Sequence, residues 1–172
     1  MSQTLFEGPI FRVERFEIEL PNGKTVVRDA VRHPGAVVIL PLLDDGRILL
    51  IRNFREVVRK WLHEIPAGTL EPGEHPDDAA PRELEEETGH RAERLAKLTE
   101  FLATPGMCDE RMYAYLAEGL EPTAQNLDEG ECIDVVPTPL DEALEMVRDG
   151  RIEDAKTIAT LLYYDRFVRE RR

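Results

Sequence analysis

The sequence predicts an α/β domain in which mixed strands and about three helices share one core. Three observations carry this expectation. GAVVILPL (35–42) is a continuous apolar run, which suits a strand covered on both faces. Asn22-Gly23, a strong hairpin signal, separates FEIEL (16–20) from KTVVRDAV (24–31). DAKTIATLLYYDRFVRERR (154–172) has an amphipathic helical pattern, with basic residues toward its C-terminal end where the helix dipole favours them.

The remaining elements follow in order. Asp44-Asp45-Gly46 turns the chain into RILLIRNF (47–54), and WLHEIPAG (61–68) reads as another strand ending at Gly68. Pro76, Asp77 and Asp78 suit the first turn of a helix over roughly 77–88, and Gly89 stands where such a helix stops. Strand-like segments occupy roughly 97–103, 112–117 and 132–136. PLDEALEMVRDG (139–150) has apolar residues at helical spacing and ends at Gly150. Repeats, low-complexity segments and linkers are not evident.

The chain has 172 residues, enough for one domain with a proper core and too few for two of full size. Its 42% apolar and 33% charged content is that of an ordinary globular protein, and no apolar run reaches the length of a membrane span. The N-terminus is acidic and alternating, unlike a secretory signal. Cys108 and Cys132 have no paired spacing, so free thiols in a reducing cytoplasm are expected. A net charge of −13 argues against a nucleic-acid or anionic-membrane surface. A small anionic substrate remains compatible, provided arginines or a metal offset the field.

The segment GTLEPGEHPDDAAPRELEEETGH (68–90) concentrates Glu83, Glu85, Glu86 and Glu87 behind a glycine-bracketed turn. On a helix, Glu83, Glu86 and Glu87 share a face, Ala80 and Leu84 lie on a flank suited to packing, and Glu85 points away. Like charges at this spacing cost a few tenths of a kcal/mol each, and only Arg82 is near enough to relieve them. A solvated acidic face is the common explanation of a Glu-rich helix. The alternative is a cation held by carboxylate oxygens, and hard ions such as Mg²⁺ prefer that donor set.

The order of residues favours the second explanation, because the segment resembles the Nudix box, G-x5-E-x7-R-E-U-x-E-E-x-G-U. Gly68, Glu74, Arg82, Glu83, Leu84, Glu86, Glu87 and Gly89 occupy its fixed positions. The resemblance implies an α/β/α sandwich with a mixed sheet and an N-terminal antiparallel strand extension (1–34) preceding a hydrolase domain (35–172). It also implies metal ligation by Glu83, Glu86, Glu87 and the Ala67 carbonyl, and a Glu74–Arg82 strut between loop and helix. Two positions depart from expectation. His90 replaces an aliphatic residue, and Pro81 falls inside the helix, tolerable if the helix begins near Asp78 or bends there.

Outside the box, VRHPGAVVILPL, RNFR, WLHEIPAG, ATPGMCDE (103–110), DEGECIDVV (128–136) and GRIEDAKTIATLLYY (150–164) resemble the ADP-ribose pyrophosphatase branch. That likeness implies a role for Pro105 beside the substrate and for Glu131, or else Glu129, as the group that positions or deprotonates water. An exposed acidic turn is an equal reading of those two glutamates. Arg52 and Arg55 suit phosphate oxygens by their guanidinium forks, though surface salt bridges explain them as well. His33, His63 and His75 share no metal-ligand spacing and read as structural; Phe54 and Trp61 read as core or interface more readily than as base-stacking platforms. The implied activity is Mg²⁺-dependent hydrolysis of ADP-ribose to AMP and ribose 5-phosphate, with Mn²⁺ as an alternative ion. The implied assembly is a homodimer joined through the N-terminal strands. Rival readings are hydrolysis of GDP-mannose, other sugar nucleotides or FAD, and an ADP-ribose sensor without catalysis.

Overall fold

The computed structural model describes residues 2–169. Strands β1 (Ser2–Glu7), β2 (Arg12–Glu19) and β3 (Thr25–Arg32) come first, followed by β4 (Ala36–Pro41), β5 (Arg47–Arg55), β6 (Lys60–Glu64) and β7 (Ala67–Thr69). Helix α1 (Pro76–Thr88) precedes β8 (His90–Leu102), β9 (Arg111–Pro122) and β10 (Ile133–Pro139). Helices α2 (Leu140–Arg148) and α3 (Ala155–Phe167) close the order.

The first three strands make an antiparallel sheet of their own, with β2 in the centre. Gly23 supplies the positive φ of 78° at the β2–β3 turn, and the Lys24 N–H donates to the Asn22 side chain. Strand β1 was not expected from the sequence. Every one of its residues is exposed, so no buried face imposes a pattern on it.

The remaining strands form two sheets, in the orders β7-β4-β9-β8 and β10-β5-β6. Strand β4 runs parallel to β9 and antiparallel to β7, which makes the first of these sheets mixed. All six residues of β4 are buried, as the apolar run at 35–42 predicts. Val37 and Ile39 pack toward Ala79, Ala80 and Leu84 of α1. Val38 and Leu40 turn to the opposite cluster, where Leu50, Ala143 and Leu161 meet. Helices therefore cover both sides of the central strand, with α1 on one side and α2 and α3 on the other. Burying a side chain such as Leu84 contributes about 1.5–3 kcal/mol.

The expected single strand at 61–68 is two strands. β6 pairs with β5 and β7 pairs with β4, so the chain changes sheets at Ile65-Pro66. Proline has no N–H to continue the β6 ladder, while the Pro66 carbonyl accepts from Ile39 N–H in the other sheet. The last helix ends at Phe167; the end of the expected segment, residues 170–172, lies outside the described residues. No helix among the described residues is long and apolar enough to cross a membrane.

Candidate active site

Helix α1 begins at Pro76, where proline's missing N–H costs nothing, and His75 caps it through a side-chain bond from the Asp77 N–H. Pro81 is accommodated without ending the helix. The carbonyl deprived of its partner belongs to exposed Asp77, which water can serve. At the other end Gly89 takes the left-handed conformation, φ 65°, and its N–H donates to the Glu85 carbonyl. A Cβ on Gly89 would also meet the backbone nitrogen of Gln125 at 2.9 Å. His90 donates from Nδ1 to the Thr88 carbonyl at 2.9 Å, so the box position that usually holds an aliphatic residue here carries a polar tie.

That close approach at Gly89 matters for the site. The Thr123 N–H donates to Gly89 O, Asn126 N–H to Glu86 O, and the Gln125 amide to Glu87 O. The segment after β9 thus satisfies the open carbonyls at the end of α1 and delivers the loop bearing Glu131 to the helix. Nothing in the sequence pattern signals this junction, because backbone groups and a single glutamine amide make it.

Glu83, Glu86, Glu87, Ala67, Gly68, Arg82 and Glu131 all line one open cleft of about 1280 Å³. Glu87 is buried, and one of its oxygens accepts the Ala67 N–H at 2.8 Å. Burial drives its carboxyl up to a pKa of about 8, with Glu83 and Glu131 adding repulsion. Burial likewise raises Glu83 to about 7 against the pull of Arg82. Gly68 has no Cβ for a spatial reason: one placed there would lie 1.8 Å from the Glu83 carboxyl carbon.

Arg82 holds the group together. It forks onto Glu74 with both bonds at 3.0 Å, and its other terminal nitrogen reaches Glu83 at 2.8 Å and Glu86 at 2.9 Å. Glu74 in turn accepts from the Glu71 N–H. Glu85 faces away and pairs with Arg91.

Buried Glu87 stands together with half-buried Glu83 and Glu86, which have Arg82 as their hydrogen-bonding cation on α1, and the donors are hard oxygens. The residues therefore fit a divalent cation of the Mg²⁺ type, with Glu83, Glu86, Glu87 and the Ala67 carbonyl as the groups that would hold it. Among the described residues no three of the acidic, histidine or cysteine side chains already converge on one point. Arg82 holds one oxygen of Glu83 and one of Glu86 and leaves the second oxygen of each carboxylate to other partners.

Other expected residues divide sharply. Arg55 lines the cleft and forks onto the fully buried Glu64 at 2.8 and 2.6 Å. Burial pushes the Glu64 carboxyl up, but the bonds from Arg55 and the charge of Lys156 outweigh it and hold the pKa below the usual value. Arg52 lies outside the cleft lining, over the Trp61 ring at 4.4 Å, with Asp134 at 3.7 Å. The reason is strand periodicity: positions 52 and 55 are an odd number apart on β5 and face opposite sides. Phe54 packs on Trp61, and neither ring lines the cleft. Pro105 and Glu129 also stand outside the lining, although Thr104, Asp128 and Glu131 are part of it. The Glu131 carboxylate accepts the Asp128 N–H at 3.0 Å. His33 accepts the Gly35 N–H, His63 has a buried Nδ1 without a partner, and both cysteines are free thiols. Sequence reasoning missed Glu64 and Lys156, whose significance depends on contacts across 92 positions of chain.

A family model described as NUDIX domain matches residues 31–161. The chain belongs to the Nudix hydrolase family. It is 41% identical over 163 residues to the ADP-ribose pyrophosphatase of Bacillus subtilis (strain 168), covering 94% of this chain and 88% of that protein. It is 40% identical over 164 residues to the methanol dehydrogenase activator of Bacillus methanolicus, with 94% and 89% covered. A crystal structure of an ADP compounds hydrolase superposes with a TM-score of 0.85 at 26% identity, covering 99% of this chain and 93% of that one. Nudix hydrolases need a divalent metal, in keeping with the donor set along α1.

Proposed function

We propose that this Nudix hydrolase cleaves the pyrophosphate of ADP-ribose to AMP and ribose 5-phosphate, using Mg²⁺. The observation that carries the reading is the cleft. Buried Glu87, half-buried Glu83 and Glu86 and the Arg55 guanidinium all line it, so carboxylates that could hold a metal and a cation suited to phosphate face one space. The similarity to an ADP-ribose pyrophosphatase over nearly the whole chain supports this substrate over other nucleoside diphosphates.

Glu83, Glu86, Glu87 and the Ala67 carbonyl would hold the ion, which when bound polarises phosphoryl oxygens and lowers the pKa of its water. Gly68 keeps room for the Glu83 carboxylate, and the Glu74–Arg82 fork keeps the box loop against α1. Arg55 orients the substrate through its unoccupied Nη1. Glu131 takes the proton from the attacking water at a carboxylate oxygen. Its influence on both Glu83 and Glu87 supports it over Glu129.

The working unit in this reading is a cytoplasmic homodimer joined through residues 1–34. Phe6, Ile10, Phe11, Ile18 and Val27 are exposed apolar side chains on that extension, and its Gly8–Phe11 turn borders the cleft. The test is purified protein with Mg²⁺ and a panel of ADP-ribose, GDP-mannose, FAD and other sugar nucleotides. Release of AMP from ADP-ribose at the highest kcat/KM is expected. Faster GDP-mannose cleavage overturns the substrate, and no turnover of any overturns the activity.

A further inference from the structure

Where β6 ends and α3 begins, four charged side chains interlock, and two of them are cations on the cleft. Arg55 Nη2 and Lys156 Nζ both donate to Glu64 Oε2, which sets the two cationic nitrogens side by side, within two hydrogen-bond lengths of each other. Lys156 Nζ also reaches Asp154 Oδ1 at 3.0 Å. The ammonium thus donates to Glu64 and pairs with Asp154 without using all three protons, and Arg55 Nη1 has no acceptor among the described residues.

Lys156 adds its charge to the bonds by which Arg55 keeps Glu64 ionised, yet the local fold is fastened by other groups. Asp154 already caps α3 by accepting from the Thr157 N–H at 2.9 Å and hydroxyl at 2.6 Å. The Thr157 hydroxyl accepts the Ile65 N–H at 3.0 Å, which fastens α3 to the end of β6. Arg55 already satisfies buried Glu64 with a two-bond fork. Adding a second cation to that carboxylate sets like charges together and desolvates an ammonium, a cost that an anionic ligand would offset. The cleft lining also carries Glu83, Glu86, Glu87 and Glu131, so a diphosphate bound there needs fixed positive charge beside it.

We propose that Lys156 is a second substrate-contacting cation, which together with Arg55 grips the diphosphate of a nucleoside diphosphate substrate while Glu64 holds the pair in place. The assignment rests on the proposed cleavage of a nucleoside diphosphate. Glu64 is then a positioning residue: it fixes two donors in a geometry that neither long side chain would keep alone.

The test measures equilibrium binding of the non-hydrolysable α,β-methylene analogue of ADP-ribose, with Mg²⁺, to the full chain and its Lys156→Met and Lys156→Arg variants. Melting temperatures are recorded alongside. Loss of one charged hydrogen bond predicts binding weakened about 10- to 100-fold in Lys156→Met. Most of the affinity returns in Lys156→Arg, and the melting temperatures stay close to that of the parent. Unchanged binding in Lys156→Met overturns the proposal. So does equal weakening in both variants with a matching fall in melting temperature, and so does failure of the parent chain to bind the analogue. Binding of the analogue without release of AMP from ADP-ribose removes the proposed reaction and leaves the Lys156 contact standing.

Discussion

The Glu83 carboxylate occupies the place where a side chain on Gly68 would begin. A Cβ at Gly68 would stand 1.8 Å from the carboxyl carbon and 1.9 Å from one oxygen. The glycine of β7 and the first glutamate of the α1 cluster are therefore one steric unit. Gly68→Ala is expected to fold and to lose about 10- to 100-fold in affinity for Mg²⁺ or Mn²⁺, because the displaced Glu83 no longer meets its partners. Calorimetric metal titration reads this directly, and parent-like affinity would remove Glu83 from the metal site.

Glu83 and Glu87 have raised folded-state pKa values, about 7 and about 8, against an ordinary 4.5. A raised carboxyl pKa means that the neutral form is favoured in the folded state. Its stabilising contribution is complete below about 4.5 and is lost as pH rises through about 7 to 8. Metal-free protein should therefore melt progressively lower as pH climbs across that window, and Glu87→Gln should flatten the decline. A divalent ion favours the charged form and should restore the melting temperature most at the alkaline end. A flat profile for the metal-free parent would contradict the burial argument.

Among the described residues, Arg82 is the one side chain that pairs with Glu74, Glu83 and Glu86 together. Removing it leaves three carboxylates in a partly buried place without their counterion. Arg82→Gln is expected to lower stability by about 1–3 kcal/mol in metal-free protein. Arg82→Lys should recover little, since a point charge cannot fork onto Glu74 and bridge the other two. Urea unfolding of the three proteins tests both statements.

The loop carboxylates separate by position. Glu131 lines the cleft and Glu129 does not. Glu131→Gln should lower kcat by about 100-fold or more, with KM little changed, while Glu129→Gln stays within a few-fold of the parent. Reversal of those two results would transfer the base to Glu129.

Opposite faces of β5 make the two arginines unequal as well. Arg55→Ala should raise KM for ADP-ribose at least about 10-fold and expose buried Glu64 to repulsion. Arg52→Ala, which loses its place over Trp61 and its pairing with Asp134, both outside the cleft lining, should change KM less than about twofold. Steady-state kinetics on both variants decide it.

Much of the site was legible in the sequence because one helix and one turn carry it. Glu83, Glu86 and Glu87 share a face by helical periodicity, and Gly68, Glu74, Arg82 and Gly89 stand at spacings that strand, loop and helix can satisfy locally. Strand β4 was equally plain, since burial on both faces demands an unbroken apolar run. The exposed strand β1 left no such mark. Pro81 departed from the helical pattern, yet the helix starts at Pro76, within a residue of the 77–88 expected, and an exposed carbonyl absorbs the missing bond.

The sequence by itself determined the family, the acidic face of α1 and the strut between Glu74 and Arg82, all of which arise from residues within 22 positions of one another. Tertiary structure alone decided which arginine reaches the cleft, that Glu131 rather than Glu129 borders it, and that Lys156 shares an oxygen of Glu64 with Arg55. Those outcomes depend on strand facing, on the bonds to main-chain carbonyls that seat residues 123–126 against the end of α1, and on a carboxylate and an ammonium brought together from 92 positions apart. Local periodicity encodes a face, but only the closing of the fold brings two faces together.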